Sequence, residues 1–265
     1  MLVIDNIYKT FNPGTVNEKT ALNGLSLTLE EGDFVTVIGG NGAGKSTMLN
    51  AIAGVWPVDG GSILIDGIDV TKLPEHKRAK YLGRVFQDPM TGTAASMEIQ
   101  ENLALAKRRG NCRRFYRTGI TSEEKKEYYD LLETLGLGLE KRMTSKVGLL
   151  SGGQRQAVTL LMASLKKPKL LLLDEHTAAL DPKTAAKVLE TTDRIVNSNK
   201  LTTVMITHNM KDAIAHGNRL VMMMDGKIIL DIKGEEKKQL TVTDLLRKFE
   251  IASGEEFASD KAILG

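Results

Sequence analysis

Cysteine is almost missing from this chain: Cys112 stands alone among 265 residues. An internal disulfide and a multi-cysteine metal cage are therefore excluded. A charge excess is missing too: 36 Lys and Arg against 33 Asp and Glu leave a formal net charge of only +3, too little to argue for nucleic acid as the main partner. No stretch reaches the about 18 uninterrupted apolar residues of a membrane span. Met1 to Asp5 lacks the layout of a signal peptide, so the chain is expected to stay in the cytoplasm. Neither a tandem repeat nor a low-complexity tract interrupts it. What remains is a composition of 42% hydrophobic and 26% charged residues, that of a soluble globular protein with one large or two small domains.

The chain is organised around Gly39-Gly40-Asn41-Gly42-Ala43-Gly44-Lys45-Ser46-Thr47. This fits G-x-x-x-x-G-K-[ST], a phosphate-binding loop, and the pattern needs a strand before it and a helix after it. Phe34 to Ile38 reads as a buried strand and Met48 to Ala53 as the first turns of a helix. Wrapping N–H groups around phosphates demands close approach and positive φ, which Gly39, Gly40, Gly42 and Gly44 are expected to supply. A helix beginning near Gly44 aims unpaired N–H groups at the anion. Lys45 adds a charge for the β- and γ-phosphates, and Ser46 a hydroxyl for the Mg2+ that bridges them.

Leu2 to Ile7 predicts a first strand, followed by a polar loop through Thr20. Ala21 to Leu29 alternates apolar and polar residues, and Gly60 to Asp66 gives a further strand closing on Asp66-Gly67, so an antiparallel layer is expected beside the phosphate loop. In the first loop Phe11 is the candidate to stack on a nucleotide base, with core packing as the alternative; Tyr8 is left to the strand. Residues 72 to 83 should contain a short basic helix. Arg84 to Pro89 then runs from strand into loop and carries Gln87.

From about Met97 to Leu139 the pattern turns helical, with Ile99, Leu103 and Ala106, then Tyr128, Leu131, Leu132 and Leu135, at spacings of three and four. A separate helical lobe is expected. Lys107, Arg108, Arg109, Arg113, Arg114 and Arg117 cluster there with Phe115 and Tyr116. Such a run reads first as a solvated face; contact with anionic lipid head groups is the functional alternative, and nucleic acid a weaker one.

Leu150-Ser151-Gly152-Gly153-Gln154 heads a helix running to about Leu165. Ser151 and Gln154 fit a capping box. The two glycines suggest more, a bare helix start whose N–H groups face outward as a second anion site. Leu170 to Leu173 is a continuous apolar run ending in Asp174 and Glu175, as in a central parallel strand whose carboxyl end meets a ligand. Asp174 would hold magnesium and Glu175 would polarise the attacking water as general base. Thr203 to Thr207 is another core strand and ends in His208, a structural histidine or one within reach of the γ-phosphate. Arg219 to Met224 and Lys227 to Leu230 form a hairpin around Asp225-Gly226, with three methionines as core filling. The last 30 or so residues are polar, helical over Val242 to Phe249 and mobile at the end.

Together these stretches resemble the ATP-binding cassette family, from the first strand to about Leu230. Gly39 to Thr47 matches its Walker A motif, Gln87 its Q-loop, Leu150 to Gln154 its signature, and Leu170 to Glu175 its Walker B motif. Ala178-Ala179-Leu180-Asp181 matches its D-loop and His208 its switch histidine. The resemblance implies an α/β P-loop NTPase fold, with a RecA-like parallel sheet core, an antiparallel β subdomain and a helical signature subdomain at about 90–165. It implies one ATPase domain over 1–230 and a short C-terminal extension over 231–265. It also implies ATP and Mg2+ as cofactors, Glu175, His208 and Gln87 as catalytic residues, and Ser46, Gln87 and Asp174 at the metal. Phe11, Gly39, Asn41, Gly42, Ala43, Gly44, Lys45, Ser46, Thr47, Ser151, Gly152, Gly153, Gln154 and Asp181 would contact nucleotide.

In this family two such domains pair head to tail, each ATP lying between one subunit's Walker A and the other's signature. The resemblance therefore implies a homodimer or a paired ATPase subunit on the cytoplasmic face of the membrane, driving transmembrane permease subunits. His176 stands where many members have Pro, which relaxes the loop but leaves Asp174 and Glu175 in place. Asp174 to Thr184, with Met90 to Thr93, is similar to ATPase subunits of bacterial uptake systems that use a separate permease and a substrate-binding lipoprotein, some of them assigned to aromatic amino acids such as tryptophan. The alternatives are a cassette driving an exporter or cell-envelope complex, a soluble cassette acting on nucleic acid or ribosomes, and a small-molecule kinase. The last leaves the signature unexplained.

Overall fold

The computed structural model describes residues 1–110 and 119–253. In chain order its elements are β1 (Leu2–Phe11), β2 (Lys19–Leu29), β3 (Phe34–Ile38), α1 (Lys45–Ala53), β4 (Gly60–Ile65), β5 (Ile68–Asp69), α2 (Glu75–Arg78), β6 (Leu82–Val85), α3 (Ile99–Lys107) and α4 (Ser122–Glu133). They continue with α5 (Gly152–Ser164), β7 (Leu170–Asp174), α6 (Pro182–Asn199), β8 (Thr203–Ile206), α7 (Met210–Ala215), β9 (Arg219–Met224), β10 (Lys227–Lys233), α8 (Glu235–Lys238) and α9 (Val242–Ser253).

β1, β2, β4 and β5 form an antiparallel sheet in the order β2-β1-β4-β5. β1 runs four residues past the expected end. Its register slips between Ile4 and Ile7, where Asn6 has a φ of 49°; such a bulge breaks the period-two alternation that marks a strand in sequence. Asp66 and Gly67 both have positive φ, the geometry of a tight hairpin turn.

The larger sheet has the order β10-β9-β3-β8-β7-β6. β9, β3, β8, β7 and β6 are parallel and β10 joins antiparallel. β3 and β8 are buried throughout, as strands covered on both faces must be. One core fills the space between the two sheets around Met48, Leu49 and Ile52 of α1. A second joins Leu171 and Leu173 of β7 to Leu103, Tyr128, Val158 and Leu161 of the helical region.

The short basic helix expected within 72–83 is α2, four residues long, and Leu82 to Val85 beyond it pairs with β7. The segment after β10 packs firmly: Leu240, Leu245 and Phe249 bury against Ile38, Met210, Leu220 and Met222. β10 itself continues across residue 230 to Lys233.

Candidate functional site

The loop after β3 behaves as its composition dictates. Gly39, Gly42 and Gly44 have φ of 149°, 81° and 100°, whereas Gly40 has no positive φ and open space around it. A Cβ on Gly39 would meet the Met223 carbonyl at 2.2 Å, and one on Gly44 the Ala21 carbonyl at 2.4 Å. Both sheets thus press on this loop, and glycine is what lets them.

Lys45 opens α1 and is buried. Its ammonium donates to the carbonyls of Gly39 at 2.6 Å and Gly40 at 3.1 Å. Burial lowers its pKa, while the charges of Glu175 and Asp174 pull it back up. A cavity of about 320 Å³ opens in front of the loop. Asn41, Gly42, Ala43, Gly44, Lys45, Ser46 and Thr47 form one wall, with Phe11, Lys19 and Ala21 on a second side and Glu175 on a third. Phe11 packs edge-on against Trp56, ring centroids 4.9 Å apart.

Glu175 follows the last residue of β7 in a left-handed backbone, φ 44°, a conformation that costs a non-glycine residue about 1–2 kcal/mol. Its N–H donates to Ile206 in β8 at 3.1 Å, and its carbonyl accepts from Ala178 at 2.9 Å. His176 next to it is fully buried and shares a 3.1 Å hydrogen bond with Thr192 in α6. The His208 Nδ1 lies 3.4 Å from a Glu175 carboxylate oxygen. Asp174 lies 3.4 Å from Arg84, which also donates to Asn50 at 2.8 Å. Burial nevertheless raises the Asp174 pKa, outweighing the guanidinium.

Neither Arg84 nor Asn50 was legible as a site residue. The hydrogen bond and the ion pair that mark them join β6, α1 and β7, which are distant in sequence. Lys19 was missed for the same reason.

Gln87 is exposed and, like Asp174 and His208, is outside the walls of this cavity. Gln156 of α5 donates to the Phe86 carbonyl beside it at 3.1 Å. The signature heads α5 as expected: Gln154 N–H donates to the Ser151 hydroxyl at 3.3 Å and Ser151 N–H to the Gln154 amide at 3.2 Å. Gly153 has a packing reason of its own, because a Cβ there would meet Thr184 of α6 at 2.0 Å. Asp181 caps α6, accepting from Thr184 N–H at 3.1 Å, and these bonds lower its pKa.

The basic run does not stand free where it can be seen. Lys107 pairs with Glu127, Arg108 donates to the Gly119 carbonyl at 2.7 Å, and Arg109 to that of Ala163 at 3.4 Å. Cys112, Arg113, Arg114, Phe115, Tyr116 and Arg117 lie outside the described residues.

The profile of the ABC transporter family matches residues 22–178. A tyrosine transport ATP-binding protein of Clostridioides difficile (strain R20291) is 47% identical over 255 residues, 95% of this chain and 100% of that one. This chain belongs to the ABC transporter family. It is an ATP-binding, ATP-hydrolysing transporter subunit. A methionine import ATP-binding protein of Bartonella henselae is 35% identical, over 86% of this chain and 64% of that longer one. The solved dimer of the ATP-binding cassette MJ0796, in a post-hydrolysis state bound to ADP and Pi, superposes with a TM-score of 0.73. It is 30% identical, with 88% of this chain and 98% of that one covered. The expected fold is borne out: an ABC ATPase cassette with one parallel-centred sheet, one antiparallel sheet and a set of helices.

Among the described residues no group of three or more His, Cys, Asp or Glu could hold a metal unaided. Ser46 and Asp174 carry oxygen donors, the type that Mg2+ takes alongside phosphate oxygens.

Proposed function

We propose that this ABC ATPase powers a membrane importer for an amino acid, an aromatic one such as tyrosine, from the cytoplasmic face of the membrane. The observation that carries the chemical part is the cavity walled by the Lys45 loop on one side and Glu175 on another. In this reading Phe11 stacks on the adenine base, and the loop N–H groups with Lys45 hold the phosphate chain. Ser46 and Asp174, with Gln87, hold Mg2+, whose contribution when bound is neutralising phosphate charge. Glu175 accepts the proton of the attacking water as general base. His208, already against Glu175, turns to the γ-phosphate.

The ligand set of one chain is incomplete, since no residue of α5 walls the cavity. Ser151, Gly152, Gly153 and Gln154 of a second copy, with its Asp181, complete the site from the other side. Closure is favoured while the γ-phosphate is present, and hydrolysis releases it. A groove of about 460 Å³ between α2, the loop after β6, α3 and α5, lined among others by Glu75, Phe86, Thr91, Leu105 and Met162, offers a permease helix a seat. The importer assignment rests on the tyrosine transport relative and on a methionine import one. An extracytoplasmic substrate-binding protein completes the assembly.

The test is affinity purification of the tagged Glu175→Gln chain from detergent-solubilised membranes of its host, followed by mass spectrometry. A multi-span permease recovered with a binding lipoprotein is the expected result. Recovery with ribosomes or nucleic acid and no permease would overturn it.

A further inference from the structure

We infer that Lys19 is a second cationic ligand of the bound nucleotide, contacting the phosphate nearest the base. The inference rests on the nucleotide site proposed above and adds a residue that no phosphate-loop motif contains. Lys19 is the first residue of β2 and pairs directly with Phe11, the last of β1. Directly opposed residues of antiparallel strands project to the same face, with Cβ atoms about 4.5–5.5 Å apart. Lys19 and the proposed base-stacking ring therefore leave the sheet side by side. Two residues on, Ala21 sets its carbonyl against Gly44 of the phosphate loop. Lys19, Ala21 and Phe11 all wall the cavity that Lys45 enters. The Lys19 ammonium reaches over the loop, 3.0 Å from where a Cβ on Gly42 would lie.

The charge balance of the cavity points the same way. Lys45 is held by two carbonyls and feels the charges of Glu175 and Asp174. Among the described residues the Lys19 ammonium has neither a hydrogen-bond nor an ion-pair partner. A cation left unbalanced at the Phe11 end of the cavity, beside the loop that opens the N-terminus of α1, calls for negative charge there. A stacked base places its α-phosphate at that end, and the β- and γ-phosphates run on toward Lys45 and Glu175.

This division predicts different fingerprints for the two lysines. Lys19→Met should weaken ATP and ADP by the same factor, about tenfold, the size of one charge-assisted hydrogen bond. Lys45→Met should weaken ATP more than ADP. Lys19→Arg should recover most of the loss. The measurement is isothermal titration of the purified full-length chain and its three variants with Mg-ATP and Mg-ADP, with circular dichroism showing that each variant is folded. Equal losses for the two nucleotides in Lys19→Met, with rescue by Arg, support the assignment. Wild-type affinity in Lys19→Met, or a loss confined to ATP, overturns it and leaves the nucleotide site standing. A wild-type chain that binds neither nucleotide overturns the site, and the role of Lys19 with it.

Discussion

At the residue scale, the backbone of Glu175 is more constrained than its motif suggests. It sits in a left-handed conformation between the end of β7 and the buried imidazole of His176. In the proposed reading its carboxylate is the general base, so Glu175→Gln should retain ATP binding and lose turnover by about 100-fold or more, the usual range for that role. Phosphate release alongside nucleotide titration measures both; near-normal turnover would remove Glu175 from that role. His176 introduces a pH dependence of its own. Burial, with the charge of His216 as a smaller cause, pushes its pKa down to about 4, whereas an unfolded histidine titrates near 6.5. As pH falls the unfolded chain takes up this proton first. The contribution of His176 is therefore intact above about pH 6.5 and is lost progressively down to about pH 4, on the order of 3 kcal/mol in all. Urea unfolding at pH 7.5, 6 and 5 should show the decline, and the same series on His176→Asn should be flatter.

At the element scale, α5 and α6 meet at a contact that only glycine permits. A Cβ on Gly153 would lie 2.0 Å from the Thr184 methyl carbon, but one on Gly152 would meet a Leu180 methyl at 3.2 Å. Gly153→Ala should therefore destabilise by about 1–3 kcal/mol, the cost of overpacking, and Gly152→Ala by much less. Adding Thr184→Ser removes the obstructing methyl and should restore part of the loss, a coupling that a double-mutant cycle in urea would read. This contact also joins the signature to the helix that Asp181 caps, so the two motifs are packed as one unit. Sequence pattern finds α5 and its cap because a capping box is a local signal, whereas α6 and its Asp181 cap go unread. It does not find their crossing, which depends on what lies more than twenty residues away.

At the scale of the whole molecule, the proposed nucleotide site takes its remaining ligands from the signature of a second copy. Ser151 is exposed at the start of α5, and the solved relative MJ0796 is dimeric. Ser151→Arg should leave nucleotide affinity of the single chain unchanged and abolish ATP-driven dimerisation of a Glu175→Gln background in size-exclusion chromatography. Unchanged dimerisation would sink the shared site.

The motifs and their order were readable without any structure. Each is a short stretch whose chemistry demands particular residue types at fixed spacing: glycines and Lys45 around phosphate, acids at the end of a buried strand, a cap before α5. The central strands β3, β7 and β8 were nearly as plain, since burial on both faces leaves largely apolar runs. Folding alone decided the rest, because it depends on elements that meet only in three dimensions. The close approach of Thr184 assigns Gly153 a packing role, and Arg84 reaches Asp174 only because β6 pairs with β7. Phe11 and Lys19 come to the cavity because β1 bulges at Asn6 and then runs on past the alternation that would have announced it.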